Sequence, residues 1–96
     1  MKYRIYQIKD IGGTKYAFMS YDYAVKNGLS LNDYELVYED EIWRCPEEDL
    51  TLEVLFERFN NKHPEDYKAR SMSVSDIVVL EDRKYYCDSF GFKRMA

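Results

Sequence analysis

Histidine is nearly missing from this 96-residue chain, with His63 the only one. Histidine is the usual base that activates a serine or cysteine nucleophile, so its scarcity argues against that kind of catalysis. His63 stands directly before Pro64 in an apparent loop, where a solvated or capping role fits better than converging catalytic partners. Cysteine is almost as rare. Cys45 and Cys87 lie far apart and form neither a zinc-ligand spacing nor a disulfide framework, so both are read as reduced thiols. Glycine is sparse too: Gly12-Gly13-Thr14 has no third glycine and no Lys-Ser/Thr after it, which excludes a phosphate loop and leaves a hairpin turn. No run approaches the roughly 18 apolar residues that cross a bilayer. The first residues, Met1 to Tyr6, alternate like a strand instead of forming the apolar core of a signal peptide, so a cytoplasmic protein without membrane contact is expected.

What is present describes a folded domain. At 46% hydrophobic and 33% charged residues, the chain is too apolar for disorder and too charged for membrane spans. Its length suffices for a core without metal or disulfide support, and one domain over residues 1–96 is expected, with no cofactor. Tyrosine occurs ten times, with five Phe and the single Trp43. Its half-apolar, half-polar side chain suits both a β-rich small domain and a contact surface.

Charge is distributed unevenly. From Asp33 to Glu57 ten acids (Asp33, Glu35, Glu39, Asp40, Glu41, Glu47, Glu48, Asp49, Glu53 and Glu57) face one base, Arg44, a local charge of −9. The rest of the chain holds thirteen bases and eight acids, hence +5, and the total is −4. Such separation steers a basic partner to one side.

Residue patterns predict the elements. Lys2 to Lys9 alternates as a strand, Asp10 to Thr14 turns, and Lys15 to Met19 returns as a second short strand. Ser20 caps a short helix over Tyr21–Gly28, with Tyr21, Ala24 and Val25 on one face. Tyr34 to Glu39 reads as a strand with Leu36 and Tyr38 on one side and Val37 and Glu39 on the other; around Pro46 a loop or edge is expected. Leu52, Leu55, Phe56 and Phe59 repeat at helical spacing, with Thr51 as N-cap and a Leu50–Leu55 staple across it. Pro64 opens a turn through Lys68, and the continuous run Ile77–Leu80 reads as a central strand, turning at Glu81–Arg83 into a return strand from Lys84 to Phe92 with a bulge or close approach at Gly91. The expected fold is α+β: a mainly antiparallel sheet of four or five strands carrying one main and one short helix, with Leu52, Leu55, Phe56, Phe59, Ile77, Val79 and Leu80 in the core.

Two surfaces are candidates for partner binding. The first is the acidic one (Asp33, Glu35, Glu39, Asp40, Glu41, Glu47, Glu48 and Asp49), with Tyr34, Tyr38 and Trp43 as exposed anchors for a basic host protein. The second is the hairpin edge of Tyr85, Tyr86, Asp88, Phe90 and Phe92, open to an added strand. The acids Glu39-Asp40-Glu41 and Glu47-Glu48-Asp49 lack the alternating spacing and central glycine of a calcium loop, so no metal site is assigned. A metal-dependent nuclease built on them is the rival enzyme reading. Arg83, Lys84, Lys93 and Arg94 support only weak phosphate contact, which disfavours a nucleic-acid-binding module. A monomer or weak homodimer is expected.

The runs Phe18 to Tyr23, Tyr34 to Tyr38, His63 to Tyr67, Ser71 to Leu80 and Tyr85 to Phe92 together resemble the YodL-like domain, the last two most specifically. Cys87 departs from the pattern, which more often has an aliphatic residue there, and leaves the strand reading intact. The resemblance covers nearly the whole chain and brings no catalytic residues. It implies an accessory protein of a mobile genetic element of Firmicutes or gut bacteria. The expected activity is non-enzymatic protein binding, as an anti-defence inhibitor of the anti-CRISPR or anti-restriction type acting on a nucleic-acid-binding nuclease. An alternative is a regulator of a host actin-like cell-shape protein.

Overall fold

The structure is a computed structural model that describes residues 1–42, 48–61 and 64–95, with backbone alone at 48 and 49. Trp43, Arg44, Cys45, Pro46, Glu47 and His63 lie outside the described residues. Five strands form one antiparallel sheet: β1 (Lys2–Ile8), β2 (Tyr34–Glu41), β3 (Ile77–Leu80), β4 (Arg83–Cys87) and β5 (Phe92–Arg94), in the order β2-β1-β3-β4-β5. Helix α1 spans Tyr21–Lys26 and α2 spans Glu48–Asn61. This is the predicted α+β architecture, and the apolar run of β3 takes the middle of the sheet.

The pleat divides the core in two. On one face Tyr3 and Ile5 of β1, Val78 and Leu80 of β3, and Tyr85 of β4 pack against Leu52, Leu55 and Phe59 of α2. These helix positions recur every three or four residues, so one stripe of α2 is buried. Phe56, at the stripe's margin, is 37% exposed, a correction to its expected core place. The helix also begins earlier than predicted. Thr51 is fully buried inside it and does not cap it, and Leu50 is exposed where a staple would bury it.

The other face buries Ile8, Tyr34, Ile77 and Tyr86 beneath Tyr16 and Ala24. Ser20 caps α1, its Oγ accepting the Tyr23 N–H at 3.3 Å, and Gly28 follows at φ +81°. The helix has six residues, and Val25 points outward, 53% exposed. Cover stops partway along this face, which leaves Val79 half-buried instead of in the core.

Three further expectations change. Lys15–Met19 is a series of turns, not a strand, because Tyr16 folds inward and its hydroxyl reaches Asp33 Oδ2 at 2.6 Å. The turn at Gly12-Gly13 does not join a hairpin; a Cβ at Gly13 would lie 2.3 Å from the carboxylate of exposed Asp10, which would have to turn away. In β2 a bulge at Val37 interrupts the pairing between Ile5↔Tyr38 and Tyr6↔Leu36, so Val37 and Tyr38 both pack toward α2 while Leu36 stays on the opposite side.

Candidate protein-docking site

The run Ser73-Val74-Ser75-Asp76 is built into the interior. Asp76 is fully buried; it accepts from the Ser73 N–H at 2.9 Å, Arg70 Nη1 at 3.0 Å and Gln7 Nε2 at 3.0 Å. Burial pushes its carboxyl up from the ordinary value, and these three donors oppose the rise. Ser75 is held at φ +84°, its carbonyl accepting from Tyr34 Oη at 2.6 Å and its Oγ from the Phe18 N–H at 3.0 Å. These groups pin the 67–76 segment to β1 and to the 15–19 turns. Their hydrogen bonds serve structure, although Arg70 Nη2 is buried without a hydrogen-bond partner among the described residues.

The run Asp88-Ser89-Phe90-Gly91-Phe92 behaves differently. The predicted return strand breaks here into β4 and β5, joined by a tight turn in which the Asp88 N–H donates to the Gly91 carbonyl at 2.8 Å and Gly91 adopts φ +75°. Asp88 Oδ1 accepts from the Ser89 N–H at 2.8 Å and from the Tyr21 N–H at 3.0 Å, fastening the turn to the start of α1. Phe90, at the tip, is 98% exposed.

Beside this tip lies a groove between β5 and α2. Its deeper part, about 310 Å³, has apolar walls from Phe56, Val74, Cys87 and Phe92, with Glu53, Glu57 and Asp88 at its rim. A hollow of about 220 Å³ that shares Glu53, Gly91 and Phe92 with it lies beside Phe90 and Leu52. Phe56 and Phe92 meet edge to face at 6.3 Å, which fixes the wall. Cys87 is inert here, because burial pushes its thiol up to about 12. A larger depression of about 420 Å³ on the half-covered sheet face mixes Arg4 and Lys84 with Glu81 and Asp82, so it presents no single charge.

The acidic segment does not form one surface. Along edge strand β2, Glu39 shares a side with its ion-pair partner Arg4, whereas Asp40 turns to the α2 side near the Tyr38 hydroxyl. Glu39 and Glu41 therefore share one side of the strand and Asp40 takes the other, and among the described residues no group of three His, Cys, Asp or Glu is placed to hold a metal ion. Glu35, Glu39, Asp40 and Glu41 are exposed, but Asp33 is half-buried and engaged by Tyr16. Tyr34, expected as an exposed anchor, is a core residue, and Tyr38 packs on Phe59 and Tyr67 while donating to Asp66 at 2.9 Å. Glu48 and Asp49 begin α2, and their side chains lie outside the described residues.

The hairpin candidates divide as well. Tyr85 and Tyr86 are buried and unavailable; Asp88, Phe90 and Phe92 remain. Sequence reasoning placed Glu53 and Glu57 in the acidic segment only, yet they join Phe90 and Phe92 at the β5 edge, opposite to β2.

The profile of the YodL-like domain matches residues 2–96. The chain belongs to the YodL-like domain family. No curated protein and no solved structure gave a match. In this YodL-like domain, no helix among the described residues is long and apolar enough to cross a membrane.

Proposed function

We propose that this domain acts by binding a host protein, without catalysing a reaction, through the Phe90 tip and its groove. The observation that carries the reading is Phe90 itself: a large apolar side chain 98% exposed on a turn fastened by Asp88, beside the partly exposed rings of Phe56 and Phe92. An exposed Phe adds almost nothing to folding, whereas rigid aromatic anchors beside a groove dominate the energetics of many interfaces. The mobile-element context that the YodL-like resemblance implies supports a target in host defence, a nucleic-acid-binding nuclease of the anti-CRISPR or anti-restriction target class. The placement of Asp40 on the opposite side of β2 from Glu39 and Glu41 supports the non-enzymatic part of the reading; cleavage of plasmid or guide RNA in Mg²⁺ would overturn it.

A second reading docks a basic partner on the acidic edge of β2, favoured by the exposure of Glu35, Glu39, Asp40 and Glu41. Charges on an edge strand also keep sheets from pairing with one another, which weakens that inference. A photo-crosslinking residue at position 90 or at position 39, expressed in the native host, separates the two. Capture of one defined protein from position 90 alone supports the tip; capture from position 39 alone supports the edge. A host actin-like protein among the captured species would redirect the target from defence to cell shape.

A further inference from the structure

We infer that the groove beside Phe90 receives a cationic amphipathic segment of its partner, an apolar anchor side chain flanked by lysine or arginine; this rests on the protein-binding reading above. Size argues for a side chain over a cofactor. The deeper part holds about 310 Å³, at the bottom of the range of roughly 300–1,000 Å³ typical of small-molecule pockets, and it is open along the surface. Its walls offer apolar carbon and the rings of Phe56 and Phe92, so the inserted group is apolar.

Charge selects what flanks that group. Glu53, Glu57 and Asp88 surround the groove, and no base lines it among the described residues. Glu53 and Glu57 are one helical turn apart on α2 and exposed, so both carboxylates border the same opening. Asp88 accepts from the Tyr21 and Ser89 amides through Oδ1. An anionic or neutral segment would leave these carboxylates partly desolvated without a counter-charge, whereas lysine or arginine beside the anchor compensates them. Phe90, standing beside the hollow, then packs on the apolar stripe of the same segment.

Fluorescence anisotropy of the purified chain with a labelled helical peptide of leucine, phenylalanine and lysine tests this. Two control peptides replace every lysine by glutamate, or every leucine and phenylalanine by serine. Binding of the first peptide alone is expected. Phe90→Ala, and separately Glu53→Lys with Glu57→Lys, are expected to weaken it about tenfold or more. Glu39→Lys with Glu41→Lys, at the opposite sheet edge, leaves it unchanged, and near-ultraviolet circular dichroism confirms that each variant is folded. Equal binding of the serine peptide, indifference to Phe90→Ala, or no binding at all overturns the inference. If position 90 still crosslinks a host protein in that event, the docking site stands and only the partner chemistry is wrong.

Discussion

Asp76 is the residue on which the fold's polar interior turns. Arg70, Gln7 and the Ser73 amide converge on its two carboxylate oxygens, so its loss removes the ion-pair partner of a partly buried guanidinium and the acceptor of the Ser73 N–H, while Gln7 Nε2 keeps Tyr67 Oη and the Arg70 carbonyl. Asp76→Ala is expected to destabilise the chain by roughly 2–4 kcal/mol, read as a lower midpoint in urea. An unchanged midpoint would mean that water replaces the carboxylate at no cost. Cys87 makes a second residue-scale prediction. With its thiol pushed up to about 12 by burial, little thiolate exists near neutral pH. In a Cys45→Ser background, a disulfide reagent reacts slowly with the native chain and rapidly in urea; comparable rates would contradict the buried placement. Neither role was legible beforehand, because both depend on contacts across the fold: Gln7 and Asp76 are 69 positions apart.

Elements were readable where their determinants are local. The spacing of Leu52, Leu55 and Phe59 gave the buried stripe of α2, and Ser20 and Gly28 bracketed α1. What failed was set by distant partners. Lys15–Met19 turns instead of extending because Tyr16 finds Asp33 and Ser30 across the chain. The bulge at Val37 arises from pairing register, which alternation within β2 does not reveal. Phe90-Gly91-Phe92 likewise reads the same whether it continues a strand or turns, and only the turn exposes Phe90. The buried stripe of α2 and the tip of the β4–β5 turn then differ in their tolerance of change. Phe59→Ala, at a fully buried ring, costs about 3–5 kcal/mol, while Phe90→Ala stays within about 0.5 kcal/mol by the same denaturation measurement. A destabilised Phe90→Ala would assign that ring to folding.

At the scale of the molecule, the sheet order separates what the sequence placed together. The acids from Asp33 to Glu57 form one charged run in the chain, but β2 and the groove side of α2 carry them to opposite sheet edges. No local pattern encodes that separation. The buried tyrosines predict a shared alkaline limit. Desolvation raises Tyr3, Tyr16 and Tyr67 each to about 12 from an ordinary value of 10.0. The folded chain therefore holds these protons more tightly than the unfolded chain. Stability from this source is whole below pH 10 and drains away as pH rises toward 12, so the last tyrosinate absorbance appears together with loss of near-ultraviolet circular dichroism. Full ionisation with the dichroism intact would contradict it. The central claim, that Phe90 anchors a protein partner, is tested most directly by the Kd of the complex isolated through position 90, measured with the wild-type chain and with Phe90→Ala. A hot-spot residue costs about 2 kcal/mol or more when truncated, so affinity is predicted to fall roughly thirtyfold with the fold intact. An unchanged Kd would contradict the assignment of this surface.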